Sequence, residues 1–193
     1  EFKIEKEFED MHSKSEYILT DKLGDIGKKI HTARSRNDQV LVSIQLYLID
    51  ELNFIKAEVK SLFDLLINLA KKNKNIIMPG YTHMRAAMPS SFGLWFSAYA
   101  EILIDDVISL NSSIEIINQN TLGSAAGYGT SFNIDRDFTT NDLNFKTLKY
   151  NSLACQISRN KIEKNTFDTL GNIAFTLSKI SMDICLYSGD EFQ

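Results

Sequence analysis

Apolar side chains recur at helical spacing in three long runs of this chain. In the first, Leu41, Ile44, Leu48, Leu52, Ile55, Val59, Leu62, Leu66 and Leu69 follow one another by three or four residues, the period of a helix packed in a bundle. The second run holds Trp95, Tyr99, Leu103, Val107, Leu110, Ile114 and Ile117, and the third Phe167, Leu170, Ala174, Leu177, Ile180, Ile184 and Tyr187. Neither glycine nor proline falls between Lys28 and Met78, between Leu94 and Leu122, or between Thr130 and Leu170. The pattern predicts an all-α fold, an elongated bundle of long antiparallel helices. A helix from Asp38 to Lys72 would run roughly 50 Å at ~1.5 Å per residue. A compact globule of this size is only about 40 Å across, so the pattern also predicts further chain or further subunits packed on the helix surface. The alternative is a helix broken near its middle.

Composition supports the helical reading and narrows the class. The 193 residues include only 9 glycines and 2 prolines, too few for a collagen, a linker-rich disordered chain or a turn-dense β-sandwich. Hydrophobic residues make up 44% and charged ones 24%, with a net charge of -4, which weighs against nucleic acid as a partner. No uninterrupted apolar stretch approaches the ~18 residues of a membrane span, and the opening Glu1-Phe2-Lys3-Ile4 has no signal-peptide core. Two cysteines, Cys155 and Cys185, fit a reducing cytoplasm better than a disulfide framework, and without a Cys/His cluster no metal site is expected.

Polar segments at the ends of the apolar runs hold the candidate chemistry. The first, Gly24 to Gln39, contains Ser35 and Asp38 at the spacing of a capping box, which places a helix start here. Helix N–H groups, Arg34, Arg36 and Asn37 then suit a carboxylate or phosphate; a capped helix with two solvated arginines explains the same spacing. The second, Met78 to Pro89, is read as a connection between helices. It carries His83, a candidate acid or base, beside the hydroxyl of Thr82; an ordinary loop with a surface histidine is the plainer alternative. The third, Asn118 to Asp137, has small residues from Gly123 to Gly129 able to form an anion-binding nest or simply a flexible connector, with Asp135 and Arg136 readable as a surface pair.

Taken together, these segments resemble a known family. His31-Thr32-Ala33-Arg34-Ser35-Arg36-Asn37-Asp38-Gln39 is similar to the HTGRSRNDQ segment of argininosuccinate lyases, and Pro79-Gly80-Tyr81-Thr82-His83 to the PGYTH segment found, in looser form, across the fumarase/aspartase superfamily. Leu122-Gly123-Ser124-Ala125-Ala126-Gly127 through Asp135-Arg136 and Glu9-Asp10-Met11-His12 resemble two further family elements, in family order. The departures are Thr121, where many members have proline, and Gln156 to Lys161, which follows a subgroup pattern.

The resemblance implies a fumarase/aspartase-like central domain over 38–193, preceded at 1–37 by the end of an N-terminal domain. It implies β-elimination of argininosuccinate to arginine and fumarate, a step of arginine biosynthesis, without metal or organic cofactor. Ser35, Arg36, Asn37 and Thr82 would bind substrate, Asp10 would help shape the site, and His83 would assist proton transfer. It implies a cytoplasmic homotetramer whose sites are shared between subunits, with no nucleic acid or membrane partner. The family's serine-bearing loop is expected beyond Gln193, so these residues alone are expected to be inactive. Two other readings are a superfamily lyase acting on another succinyl adduct and a crystallin-like structural protein of the same fold.

Overall fold

The computed structural model describes residues 3–190. Helices dominate it: α1 (Met11–Leu23), α2 (Arg36–Lys72), α3 (Phe92–Ile117), α4 (Arg136–Asp142), α5 (Ser152–Ile157) and α6 (Lys161–Tyr187), with a 3-10 segment over Gly24–His31 after α1. The expected long helix forms without a break, 37 residues from Arg36 to Lys72. The basic run Lys71-Lys72 closes it, where cations meet the negative end of the helix dipole.

The chain folds as two compact units, one running to Leu48 and resuming over Ile117–Lys161, the other comprising Ile49–Ile116 and the chain from Ile162 onward. In the first unit, Leu41, Val42, Leu122, Phe145 and Cys155 are buried together with an unusual number of polar side chains, among them Asp38, Gln45, Asn120, Thr121 and Ser124. Two short strands, β3 (Gln119–Asn120) and β4 (Thr147–Leu148), pair in parallel there. The 3-10 segment lies so close to α1 that a Cβ on Gly27 would meet the Leu19 carbonyl carbon and oxygen at 2.4 Å each.

The second unit contains most of the helical bundle. Lys56 Nζ on α2 donates to Asn111 Oδ1 on α3 at 3.2 Å. Between α3 and α6, Thr176 donates to Asp106 at 2.7 Å, Ser109 pairs with Thr169 at 3.4 Å, and Asn165 donates to Ser113 at 2.8 Å. Partners rise along α3 as they fall along α6, so these two helices are antiparallel.

The first two apolar runs point inward as expected, with Leu52, Val59, Leu66, Leu103 and Leu110 buried. The third does not. On α6 the buried face is Ile162, Thr166, Thr169, Ile173, Thr176 and Ile180, while Phe167, Leu177 and Ile184 are exposed in this chain. Threonine hydroxyls take the inward positions because Asp106, Ser109 and the helix's own carbonyls satisfy them. A hydrophobicity stripe assigns such a polar ladder to the wrong face.

A second departure is Met78–Pro89, which is not an irregular loop. β1 (Ile77–Thr82) and β2 (Arg85–Ser91) form an antiparallel hairpin, paired from Ile77↔Ser91 to Thr82↔Arg85, with a bulge after Gly80. His83 and Met84 are the two turn residues, with φ of 51° and 60°. Positive φ at both centres is the type I′ geometry that matches the twist of paired strands. Asn-Gly is its usual sequence, and His-Met gave no such signal.

Candidate functional site

The start of α2 gathers four of the expected residues into one polar cluster. Asp10 caps α1: its Oδ1 accepts from the Ser13 backbone N–H at 2.7 Å and from the Ser13 hydroxyl at 2.9 Å. Its Oδ2 lies 2.9 Å from Arg36 Nε, an ion pair between half-exposed side chains. Arg36 Nη2 donates to Ser13 Oγ at 2.8 Å and Nη1 to Gln39 Oε1 at 3.1 Å. Two of the guanidinium nitrogens are thus hydrogen-bonded, while Nε meets Asp10 as an ion pair without hydrogen-bond alignment. The Ser13 backbone N–H, then its hydroxyl and the charges of Arg36 and His12, hold the Asp10 carboxyl below its ordinary range, and burial opposes them.

Ser35 and Asn37 flank this arginine. The Ser35 N–H donates to Asp38 Oδ1 at 2.8 Å, and Ser35 Oγ accepts from the Asn37 N–H at 3.3 Å. The capping spacing read from the sequence is therefore used, with the serine bonding one position earlier than in a standard box. Asn37 itself is exposed, in the first turn of α2.

Asp38 is the residue sequence reasoning undervalued. It is wholly buried, and its second oxygen accepts from the backbone N–H groups of Gly123 at 2.9 Å and Ala125 at 3.1 Å. The glycine loop is indeed an anion nest, but its anion is this chain's own carboxylate, so those two N–H groups are not available to a ligand. Around them Gln45 donates to the Ile117 and Gln119 carbonyls and accepts from Thr121 at 2.6 Å, while Gln156 donates to Ser124 Oγ at 2.8 Å. Far from a flexible connector, the loop is fastened by side chains from several segments. The available signal was Asp38 and Gln45 falling on the same helix face as Leu41 and Leu52.

Asp135 and Arg136 do not form a pair. Asp135 caps α4 through the Phe138 N–H at 2.7 Å. Arg136 donates to the carbonyls of Leu122 at 2.9 Å, Lys149 at 3.0 Å and Tyr150 at 3.3 Å. It acts as a staple between the glycine loop and the segment before α5. A hollow of about 280 Å³ borders this staple, with Arg34, Gly123 and Arg136 among its walls.

Thr82 and His83 belong to the hairpin of the second unit, both exposed. Tyr81, His83, Met84, Asp183, Leu186 and Tyr187 line a cavity of about 260 Å³. Asp183 Oδ2 accepts from Trp95 Nε1 at 3.1 Å and from the Tyr99 hydroxyl at 2.6 Å. Burial first, then that hydrogen bond and the charge of Asp183, raise the Tyr99 phenol well above its ordinary value; burial and the same charge raise Tyr187. Nothing in the sequence drew attention to Asp183, because an acidic residue late in an amphipathic helix reads as surface. Among the described residues no three His, Cys, Asp or Glu side chains converge as on a metal ion, and no helix is long and apolar enough to cross a membrane.

With the geometry in hand, comparison with known proteins gives the class. The family model described as lyase matches residues 1–193, and the chain belongs to that family. The argininosuccinate lyase of Phocaeicola vulgatus is 51% identical over 192 residues, which is all of this chain and 43% of that protein. The chain thus spans less than half the length of this curated relative. Among solved structures, an EDDS lyase variant with bound fumarate superposes with a TM-score of 0.88 at 27% identity, covering 92% of this chain and 36% of that one. A class II fumarase from Schistosoma mansoni gives 0.73 at 22% identity, over 83% of this chain and 38% of its own, and shows the common fold alone.

Proposed function

We propose that the protein containing this chain is an argininosuccinate lyase, which eliminates arginine from argininosuccinate and leaves fumarate. The observation that carries the reading is Arg36 at the first turn of a 37-residue helix, fixed by Asp10, Ser13 and Gln39. The elimination removes a proton from the carbon beside a substrate carboxylate; the electron pair forms the new C=C bond as the C–N bond breaks and the guanidinium nitrogen departs with a proton. Negative charge gathers on the carboxylate on the way. A preorganised guanidinium and a helix N-terminus stabilise that charge more than they stabilise the ground state. Ser35, Arg36, Asn37 and Thr82 bind substrate in this reading, Asp10 orients Arg36, and His83 assists proton transfer. The 51% identity to a named argininosuccinate lyase across all of this chain supports the substrate assignment.

The same reading makes the protein a cytoplasmic homotetramer of arginine biosynthesis with sites shared between subunits. Its support here is the apolar surface that α2 and α6 leave uncovered in a single chain, including Phe54, Leu65, Phe167, Phe175 and Met182. The segment 1–37 is taken as the end of an N-terminal domain, and 38–193 as part of the central one. Incubating the full-length protein with argininosuccinate and following fumarate and arginine tests the proposal. Equimolar release of both is expected; release from another fumarate adduct, with argininosuccinate left intact, would overturn the substrate.

A further inference from the structure

His83 depends on its neighbours for its position. No side-chain hydrogen bond reaches it among the described residues, and it sits at the tip of a two-residue turn. Where its imidazole points is therefore set by the hairpin and by whatever the hairpin leans on. Tyr81, two residues earlier on β1, lies against the ring of Tyr187 with centroids 6.1 Å apart. Tyr187 in turn meets Trp95 edge-on at 5.5 Å, and Trp95 meets Tyr99 edge-on at 6.0 Å. Such ring pairs hold their geometry only while each ring stays in place.

Two of these rings are tied to one atom. Trp95 Nε1 and the Tyr99 hydroxyl both donate to Asp183 Oδ2, and Asp183 precedes Tyr187 by one helical turn on α6. The acceptor, the two polar rings, Tyr187 and the hairpin stem therefore form a continuous chain of contacts ending two residues from the histidine. Asp183 and His83 also line the same cavity. A carboxylate is suited to this task because one oxygen accepts two charge-assisted bonds at once. Without it, a phenol hydroxyl and an indole N–H are left in a half-buried site with no acceptor.

We infer that Asp183 is a positioning residue for His83, acting through Trp95, Tyr99 and Tyr187 to fix the aromatic wall that carries the hairpin. The inference rests on the lyase reading for its kinetic consequence but not for its structural one, so two measurements on the full-length protein separate them. In turnover of argininosuccinate, Asp183→Leu lowers kcat on the order of 10- to 100-fold, the range a small misplacement of a reacting group produces, with KM nearly unchanged. Asp183→Asn, which keeps an acceptor oxygen, recovers a large part of that loss. In hydrogen exchange, the amides of 78–90 exchange faster in Asp183→Leu while those of 36–45 do not.

Loss of activity with exchange in the hairpin unaltered would overturn the inference, as would faster exchange with kcat unaltered. If the wild-type protein releases no fumarate, the substrate reading fails and the exchange result alone decides the positioning role. Should Asp183→Leu not fold, Tyr99→Phe removes one of the two bonds at little change in volume. It is expected to give a smaller loss of kcat in the same direction, and a wild-type kcat there would count against the chain of contacts.

Discussion

The wholly buried carboxylate of Asp38 accepts a hydrogen bond at 2.9 Å from the backbone N–H of Gly123, 85 residues further along the chain. With Ala125 and Ser35 it makes three backbone bonds, and so joins the helix start that carries Arg36 to the glycine loop. Asp38→Asn keeps one acceptor but turns an NH2 group toward N–H donors. A loss of about 1–3 kcal/mol is expected for the donors left unpaired, read as a lower urea midpoint in the full-length protein. An unchanged midpoint would show that the loop does not need this anion.

Two glycines in the first unit separate crowding from backbone strain. Alanine at Gly27 would press its methyl against the Leu19 backbone at 2.4 Å, and backbone cannot turn aside as a side chain can. A cost of about 3 kcal/mol is expected. Gly24 has nothing within 4 Å of the same methyl, but its φ of +62° with ψ of −141° is a backbone region open essentially to glycine alone, so Gly24→Ala should cost about 1–3 kcal/mol through strain. Thermal melts of the two variants check both costs; an unshifted melt for Gly27→Ala would contradict the close approach of α1 and the 3-10 segment.

Acid stability should depend on Asp10. Its carboxyl titrates below the ordinary aspartate value of 3.8 when folded, so the unfolded chain takes up the proton first as the pH falls. The stabilisation is complete above that ordinary value and disappears as the pH drops through the lower folded one. Melting temperature plotted against pH should fall less steeply for Asp10→Asn than for wild type in the acid limb. At neutral pH the variant starts lower, having lost its charge opposite Arg36. Parallel curves would remove Asp10 from the acid response.

His83→Asn in the full-length protein should lower kcat by roughly 10²- to 10⁴-fold, the range of a lost general acid–base group, with KM little changed. Its melting temperature should not fall, since asparagine suits a type I′ turn better than histidine. Steady-state kinetics and a melt on one sample decide the matter. A variant that loses stability along with activity would leave the turn, not the imidazole, responsible.

Much of the helical frame was legible because burial on α2 and α3 is apolar and periodic: Leu52, Val59, Leu103 and Leu110 are both the pattern and the core. Legibility failed wherever polar groups were buried in matched pairs. Thr166, Thr169 and Thr176 look like the wet side of α6 until Asp106 and Ser109 are set opposite them. Asp38 reads as part of a cap, and Gln45 as nothing in particular, until the glycine loop is placed against them. The hairpin was hidden for a different reason, since His-Met at its turn is chosen against local preference. Pairing across tens of residues is a property of the fold, and a single strand of letters does not print it.

That last choice bears on how the gene will change with time. Holding two non-glycine residues at φ of 51° and 60° is unfavourable by about 1 kcal/mol or more each. On the proposed reading, what offsets this cost is the part of the imidazole in proton transfer. A laboratory library screened for heat resistance alone, or a gene copy no longer required for growth, should drift at position 83 toward asparagine or glycine. The hairpin would become sturdier as the proposed activity was lost.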